Sequence, residues 1–372
     1  MTIPGPNTPP SGTAASATRV VSRRETAPAF LFYLPVALWW GALSLRYRSC
    51  TLPTLANPAI RAGGLCGESK SEVLGLFGPV GRGVLARHVS ATCHRGTSAA
   101  ATAAVLIRRM QQAGFGFPAV AKPDIGRKGR GVRKVENRTE LERYLAGFPE
   151  KHRVLVQEFV PYKGEAGVFY VREPGQKHGR ITSLTLKFFP SVTGDGRSTL
   201  KELILADRRA GKVARFYLPR FSGQLDRVLP AGHEFPLVFT GNHCQGAIFR
   251  DGAAHATAAL TRRIDRIAGE IEGFHFGRFD LRYESMEALE RGEGFTIIEL
   301  NGAGSEATHI WDAEMSLPKV YGTLFAQIHT AFRIGAQLRS PHGPKPTGPL
   351  RLLWLYLTEL ALMRRYPEQE KA

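Results

Sequence analysis

Residues 276–306 read FGRFDLRYESMEALERGEGFTIIELNGAGSE. We predict two short apolar strands here, joined by a turn region rich in Glu and Gly. Because side chains two residues apart share a face of a strand, Arg278 should point with Asp280, and Glu299 with Asn301. Two carboxylates and an amide oxygen on neighbouring strands suit a hard, oxygen-preferring cation such as Mg²⁺. Taken alone, the stretch also fits a hairpin whose polar face meets only water.

The composition favours an anionic partner without naming it. The chain has 372 residues, which allows two or three modest domains, and its 43% hydrophobic and 22% charged content is ordinary for a globular protein. The net charge of +18 suits a nucleotide, an acidic substrate, a phosphorylated polymer or an anionic membrane. A solvated basic surface explains it equally well. We predict no nucleic-acid partner, because the chain has no zinc finger, RNA-binding aromatic motif or Lys/Arg-rich run.

The cysteines do not form a recognisable framework. They are Cys50, Cys66, Cys93 and Cys244. None belongs to a CxxC pair, and their spacing matches no zinc site. A reducing cytoplasm is therefore the expected location.

The chain divides into four parts by composition. Residues 1–28 are rich in Pro, Ser, Thr, Ala and Gly and read as a disordered tail. We assign 29–110 to an N-terminal helical region, 111–340 to the main domain, and 341–372 to a linker followed by an apolar helix.

The apolar stretch Phe30–Leu45 allows three interpretations. It contains Trp39 and Trp40 and is followed by basic residues. It could be a buried or docking helix, a membrane-surface anchor with both tryptophans and the arginines at the interface, or a membrane span. It is shorter than the roughly 20 residues that a span normally needs.

Lys122 and the loop after it suit phosphate binding. Lys122 lies near the end of a predicted strand, 117–123, and Gly126, Gly129 and Gly131 follow. Together they offer a cation and exposed backbone N–H groups. The pattern is neither a Walker A loop nor a dinucleotide fingerprint. A glycine hairpin folding over phosphates fits better, although basic glycine-rich turns also occur without any ligand.

A second strand suggests a nucleotide base site. Gln157 and Glu158 end an apolar strand and are followed by Phe159 and Val160. Backbone groups at such a hinge can pair with the edge of an adenine, while the apolar side chains pack on its face. Glu165 could accept hydrogen bonds from ribose hydroxyls, or could be a surface residue at a strand start.

The order of these motifs resembles the ATP-grasp superfamily, most closely the D-alanine–D-alanine ligase type. Lys187, on a further predicted strand, could reach a terminal phosphate. The family's metal-binding strands read Gly-Arg-x-Asp and Leu-Glu-x-Asn, and this chain has GRFD at 277–280 and IELN at 298–301. The segment 192–203 is similar to one in cyanophycin synthetases and glutamate-ligase-like proteins. The resemblance covers about residues 65–335.

The resemblance implies an α+β fold in which two α+β subdomains grip ATP, here with a short, atypical N-terminal region. It implies an ATP- and Mg²⁺-dependent (or Mn²⁺-dependent) carboxylate–amine ligase that forms an amide through an acyl phosphate. The expected partners are small-molecule or peptide acids and amines, with a role in tailoring a cell-envelope polysaccharide or peptide. The alternative is a non-catalytic ATP-binding module that docks on a membrane or an assembly. Peripheral membrane contact through Phe30–Leu45 is left open, and no oligomeric state is predicted.

The resemblance also implies residue roles. The phosphates would be held by Lys122, by the loop with Gly126, Gly129 and Gly131, and by Lys70 at a helix start. The base and ribose would be held by Gln157, Glu158, Phe159, Val160 and Glu165. The metal ligands would be Asp280, Glu299 and Asn301, and the catalytic cations Lys187 and Arg278. The substrate motifs of the dipeptide ligases are not evident, so D-alanine is not predicted.

Overall fold

The computed structural model describes residues 28–238, 241 and 246–367. The predicted disordered tail, apart from Pro28, and Cys244 lie outside the described residues. The described chain contains both helices and strands, and the strand pairs of its sheets are antiparallel, which confirms the α+β class.

Two antiparallel sheets and a small ribbon form the framework. The strands are β1 (His88–Thr92), β2 (Ala119–Pro123), β3 (Arg133–Val135), β4 (Arg153–Glu158), β5 (Gly164–Val171), β6 (Arg180–Phe188), β7 (Ser191–Thr193), β8 (Glu234–Pro236), β9 (Ile248–Asp251), β10 (Phe276–Tyr283) and β11 (Phe295–Asn301). The smaller sheet has the order β1-β4-β2-β3 and the larger one the order β11-β10-β5-β6-β9, while β7 pairs with β8. Two sheets in one chain match the two-subdomain arrangement that the resemblance implies.

The helices cover these sheets. They are α1 (Ala29–Arg46), α2 (Lys70–Gly75), α3 (Pro79–Arg82), α4 (Ala99–Gln112), α5 (Arg138–Ala146), α6 (Leu200–Ala206), α7 (Ala258–Gly269), α8 (Met286–Glu290), α9 (Leu317–Leu338) and α10 (Pro349–Met363). The predicted turn between the last two strands was wrong in part, because α8 forms there. Its N-cap is Ser285, whose side chain accepts the Ala288 N–H.

Each sheet packs one face in an apolar core, and the larger sheet also packs part of its other face on α9, where Phe169 of β5 joins Ile334. On the smaller sheet, Leu106 of α4 and Leu141 of α5 join Val156 of β4 in one apolar core. On the larger sheet, Ile264 of α7 packs in a core with Phe279 of β10. Strand alternation then sends the polar residues of β10 to the opposite face.

Residues 51–69, whose prolines and glycines predict a loop, form two short 3₁₀ helices, Leu52–Leu55 and Arg61–Gly64, and are mostly buried. Asn57 fixes this segment to the start of β10. Its Oδ1 accepts the main-chain N–H groups of His275 at 3.0 Å and Phe276 at 3.1 Å. Its Nδ2 donates to the main-chain oxygens of Gly63 at 2.9 Å and Phe276 at 2.8 Å. One side chain therefore satisfies four buried backbone groups.

Replacing Asn57 with alanine should lower the free energy of unfolding by about 2–4 kcal/mol, because several buried backbone groups lose their partner. The exposed N-cap Asn137 is a matched control, and Asn137→Ala should cost only about 1 kcal/mol. Chemical denaturation of both variants measures the difference. Equal losses would contradict the role given to Asn57.

Helix α1 packs one face against α9. Phe32 and Leu43 are buried. The indole N–H of Trp39 donates to the Phe325 oxygen at 3.1 Å, and that of Trp40 to the Cys50 oxygen at 3.0 Å. Both indole N–H groups thus bind main-chain oxygens of the protein, and a membrane-interface position of the two tryptophans stays a prediction. Among the described residues, α1 is the one helix long and apolar enough to cross a membrane, a weak indication by itself.

Candidate active site

A cavity of about 550 Å³ lies between the two sheets. Strands β2 and β4 of the smaller sheet and β5, β6, β10 and β11 of the larger one contribute to its walls. It collects every site residue expected from the sequence except Gly131: Lys70, Lys122, Gly126, Gly129, Gln157, Glu158, Phe159, Val160, Glu165, Lys187, Arg278, Asp280, Glu299 and Asn301. Lys70 and the start of α1 belong to the assigned N-terminal region, 29–110. Both line the cavity, so this region and the main domain share one site.

Strands β10 and β11 place the expected metal ligands side by side. Asp280 lies opposite Glu299, and Arg278 opposite Asn301, with a register shift directly after Asp280. Asp280 Oδ2 accepts the side-chain amide of Asn301 at 3.0 Å and the Arg278 guanidinium at 2.9 Å. Arg278 and Asp280 share a face, as predicted, and the Asn301 side chain meets them there.

Asp280 is surrounded by cations. Its Oδ1 accepts Arg278 Nε at 2.9 Å and Lys187 Nζ at 2.8 Å. Burial alone would raise the pKa of Asp280, but Arg278 and Lys187 outweigh burial and hold the pKa well below its usual range. Lys187 also lies 3.0 Å from Glu165 Oε1, and Arg282 lies 3.4 Å from Glu165 Oε2. Asp280 is therefore ionised, and both carboxylates are paired with basic side chains.

The same donor set can be tested for fit to a metal ion. Among the described residues, no group of three or more His, Cys, Asp or Glu side chains could hold a metal by itself. Asp280, Glu299 and the Asn301 amide offer only two carboxylates. Mg²⁺ is commonly bound by one or two carboxylates together with substrate phosphates, rather than by an all-protein cage. The residues thus fit a metal that arrives with a phosphate-bearing substrate.

Two buried lysines face this carboxylate pair from the other sheet and from α2. Lys70 Nζ lies 3.0 Å from Glu299 Oε1 and donates to the Gly126 oxygen at 2.6 Å. Lys122 Nζ donates to Gln157 Oε1 at 2.9 Å and to the Ile298 oxygen at 3.2 Å. Both amines therefore lie at the junction of the glycine-rich loop and β11.

Their environments differ. Burial lowers the pKa of Lys122 to about 8, because the attraction of Glu299 does not compensate for burial and the nearby charge of Lys70. Burial also disfavours charged Lys70, but Glu299 and Glu68 outweigh it and raise its pKa. An added anion would act against the effect of burial on Lys122 and raise its pKa.

Asp124 explains why Lys70 and Lys122 are close. Asp124 follows β2, and its Oδ2 accepts the Ser69 hydroxyl at 2.6 Å while Oδ1 accepts the Ser71 N–H at 2.8 Å. Ser69 is also the N-cap of α2, where its side chain accepts the Glu72 N–H. Sequence reasoning missed Asp124, although the Ser-Lys-Ser sequence at the start of α2 offers the partners of a capping carboxylate.

The C-terminal segment holds the glycine-rich loop. Arg127 pairs with the buried Glu359 of α10, with Nε 2.9 Å from Oε1 and a second contact from Nη2 to Oε2. Tyr366 donates its hydroxyl to the Ile125 oxygen at 2.5 Å. Gly131 has a φ of +73°, and a Cβ there would lie 2.8 Å from Pro123 Cγ. Gly131 thus shapes the loop from outside the cavity, whereas Gly126 and Gly129 line it.

Replacing Glu359 with alanine should lower the free energy of unfolding by about 2 kcal/mol, because Arg127 and the Gly67 N–H lose a buried acceptor. Arg127 is partly exposed and can turn to water, which limits the loss. Glu142→Ala, in the exposed pair with Arg138, should cost less than about 0.5 kcal/mol. Thermal or urea unfolding compares them, and equal values would refute the distinction.

The residues predicted to bind the nucleotide base lie together in the cavity wall, but one of their side chains points to a protein partner. The Glu158 carboxylate turns to Arg87, accepting its N–H and its Nε at 2.7 Å each. Phe159 lies near Lys134, whose Nζ is 4.5 Å from the ring centre. The buried Gln157 Nε2 has no hydrogen-bond partner among the described residues. An unmatched buried donor is costly, so a ligand acceptor at this point would stabilise the site.

Glu306 was not predicted. It lines the cavity beside Arg278, whose Nη1 donates to the Glu306 main-chain oxygen at 2.9 Å. Tyr33 of α1 donates its hydroxyl to Glu306 Oε2 at 3.1 Å. Burial raises the pKa of Glu306, although hydrogen bonds from Tyr33 and Trp311 and the charge of Arg278 act in the opposite direction. Tyr33 and Glu306 are 273 positions apart, so no sequence spacing signals this pair.

Comparison with known proteins adds two distant likenesses. The chain matches no protein-family model and no curated protein. Among solved structures, it is similar to the VanG D-Ala:D-Ser ligase from Enterococcus faecalis, with a TM-score of 0.40, 15% identity, and coverage of 73% of this chain and 64% of that one. It is also similar to a bifunctional glutathione synthetase from Pasteurella multocida, with a TM-score of 0.35, 16% identity, and coverage of 69% and 36%.

The chain thus spans less than two thirds of the length of either solved protein. At TM-scores below 0.5, these likenesses define neither the fold nor the activity of this chain.

Proposed function

We propose that the protein is an ATP- and Mg²⁺-dependent carboxylate–amine ligase. One observation carries the proposal: Asp280 and Glu299 lie in register on β10 and β11, directly beside the buried amines of Lys70 and Lys122. This arrangement pairs a small carboxylate site for a divalent cation with fixed cations for phosphate oxygens.

The charge of the cavity supports a polyanionic substrate. Among the described residues, nine basic and five acidic side chains line it. The basic ones are Lys70, Lys122, Arg127, Lys128, Arg130, Lys187, Arg215, Arg278 and Arg282. Such an excess in a concave site attracts and orients an anion such as a nucleoside triphosphate.

The residues would divide the work as follows. Lys122 and Lys70 bind phosphate oxygens, and the loop containing Gly126 and Gly129 covers them. Mg²⁺ held by Asp280, Glu299 and Asn301 would supply positive charge next to the phosphates. Phosphoryl transfer needs mainly positioning and charge stabilisation, which these groups provide without a nucleophilic Ser or Cys.

The carboxylate and amine would meet at the other end of the cavity. Arg278 would stabilise the negative charge that develops when the substrate carboxylate is phosphorylated and when the amine attacks the acyl phosphate. Glu306 lies next to Arg278 and is held by Tyr33. It is placed to bind the amine and to accept its proton.

A substrate screen tests the proposal. The protein with ATP and Mg²⁺ is mixed with pairs of candidate acids and amines, and phosphate and ADP are measured. Hydroxylamine in place of the amine should trap an activated acid as a hydroxamate. We expect release of ADP only when a suitable acid is present. Tight ATP binding with no turnover across a broad screen would favour the non-catalytic ATP-binding module instead.

A further inference from the structure

Helices α1 and α10 each present an apolar surface to solvent. In α1, every exposed position from Ala29 to Leu45 is apolar or glycine, including Phe30 at 72%, Leu38 at 68% and Leu45 at 82% exposure. We call these positions the α1 stripe. They recur every three or four residues, so they lie along one side of the helix, opposite the face that packs on α9.

Helix α10 also exposes several large apolar side chains, next to the exposed Arg351 and Thr358. Its apolar exposed residues form the α10 stripe: Leu350, Leu353, Trp354, Tyr356 and Leu357. Leu350 is 83% exposed and Trp354 62%. The acidic residue of this helix, Glu359, is buried in its pair with Arg127. Neither stripe therefore carries an exposed negative charge.

Basic residues flank both stripes. Arg46 and Arg48 follow the α1 stripe, while Arg351, Arg364 and Arg365 lie along or after α10, and all five are exposed. The whole chain carries a net charge of +18. Exposed apolar side chains bordered by arginines match the surface of an anionic bilayer, which offers both an apolar interior and negative headgroups. They match a second copy of the chain poorly, because the same arginines would repel each other.

The geometry points to a helix that lies on a membrane and does not cross it. The 18 residues of α1 extend about 27 Å, less than the roughly 30 Å of a bilayer core. Its opposite face is engaged by α9, as shown by the Trp39 and Tyr321 hydrogen bonds to main-chain oxygens of α9 and α1. Leaving α9 would expose this packed face.

We propose that the α1 stripe and the α10 stripe dock the protein peripherally on an anionic phospholipid bilayer. Ala29 and Tyr33 of α1 line the cavity, and Arg127, which lines it too, contacts Tyr356 and Glu359 of α10. Docking would therefore bring the cavity close to the membrane surface. The proposal does not depend on the ligase activity.

The test is co-sedimentation of the full chain with vesicles, either of phosphatidylcholine alone or of phosphatidylcholine mixed with phosphatidylglycerol. We expect binding to the anionic vesicles that weakens at high salt. The double variant Leu34→Ser/Leu38→Ser should lower the partition coefficient by at least about ten-fold, because two exposed apolar side chains no longer insert. Leu353→Ser/Leu357→Ser should act in the same direction for α10.

The control is Val105→Ser/Leu205→Ser, which changes two exposed apolar residues on α4 and α6. It should bind vesicles like the unchanged protein. Absence of binding to anionic vesicles, or an equal loss in the control, would overturn the proposal. Light scattering offers a further test. A concentration-dependent dimer that dissociates in the Leu34→Ser/Leu38→Ser variant would also overturn the proposal, because the α1 stripe would then bind a second copy of the chain. Wild-type binding by the α10 variant would overturn the part assigned to α10.

Discussion

Replacing Asp280 with asparagine is expected to lower Mg²⁺-dependent turnover of ATP by at least about 1000-fold. The carboxylate is the centre of the charge arrangement, because it accepts Arg278, Lys187 and Asn301 at 2.8 to 3.0 Å. Asparagine keeps the shape but removes the charge that a divalent cation requires. Isothermal titration of ATP with and without Mg²⁺ should show that the variant loses the metal-dependent part of the affinity.

The same change affects stability, which has to be separated from function. Without Asp280, the buried cations Arg278 and Lys187 lose their shared partner, and we expect a loss of about 3–5 kcal/mol. Asp265→Asn is a matched control, because Asp265 accepts Tyr170 at 2.6 Å and Gly179 at 2.8 Å without lining the cavity. It should destabilise the fold yet leave ATP binding intact. An Asp280→Asn protein that is folded and fully active would refute the site.

The contacts between residues of the two neighbouring strands were predictable from the sequence. Alternation along β10 and β11 is sufficient to bring Arg278, Asp280 and Asn301 together, because a two-residue period fixes the face of each side chain. Capping chemistry is less decisive. Ser69, directly before an amphipathic stretch, predicts the N-cap of α2 and is that cap. For α5 the sequence favours Thr139, but Asn137 is the residue that accepts the Glu140 N–H. Neighbouring polar residues compete for that position on nearly equal terms.

The contacts between residues far apart in the sequence were not predictable. Asn57 binds the start of β10, Tyr33 reaches Glu306, and Arg127 pairs with Glu359 across 232 positions. Such contacts depend on how the chain folds back, and no period or spacing encodes them. The orientation of α1 was equally hidden, since a helix with apolar residues on all sides has no polar face to indicate which side is outward.

The ionised state of the two carboxylates depends on both kinds of contact. Asp280 and Glu299 come from a predictable strand pair, and burial alone would favour the neutral carboxylic acids. Arg278, on the same strand as Asp280, and Lys187 of β6 lower the pKa of Asp280, while Lys70 and Lys122 lower the pKa of Glu299. Lysines from other elements therefore contribute to the negative charge that a cation at the β10–β11 pair requires.

Lys122→Met is expected to weaken ATP binding by at least about 100-fold while leaving the fold as stable as before. The Lys122 amine is buried, and its pKa is lowered to about 8, so the protein without ligand gains little from its charge. Methionine has a similar length and needs no desolvation of a charge. ATP affinity by titration calorimetry and unfolding by urea measure the two effects. Lys201→Met, on an exposed position of α6, should change neither.

The pH dependence makes this prediction specific to Lys122. A phosphate attracts the protonated amine, so ATP binding should raise the pKa of Lys122 and take up a proton near pH 8. In the unchanged protein, affinity should be constant well below pH 8 and fall by up to about ten-fold per pH unit above it. The variant should lack this decline, because methionine does not titrate. Lys70 should not cause such a decline, because Glu299 and Glu68 raise its pKa and it stays protonated throughout this range. If Lys122→Met shows the same decline in affinity, a group other than Lys122 binds the phosphates.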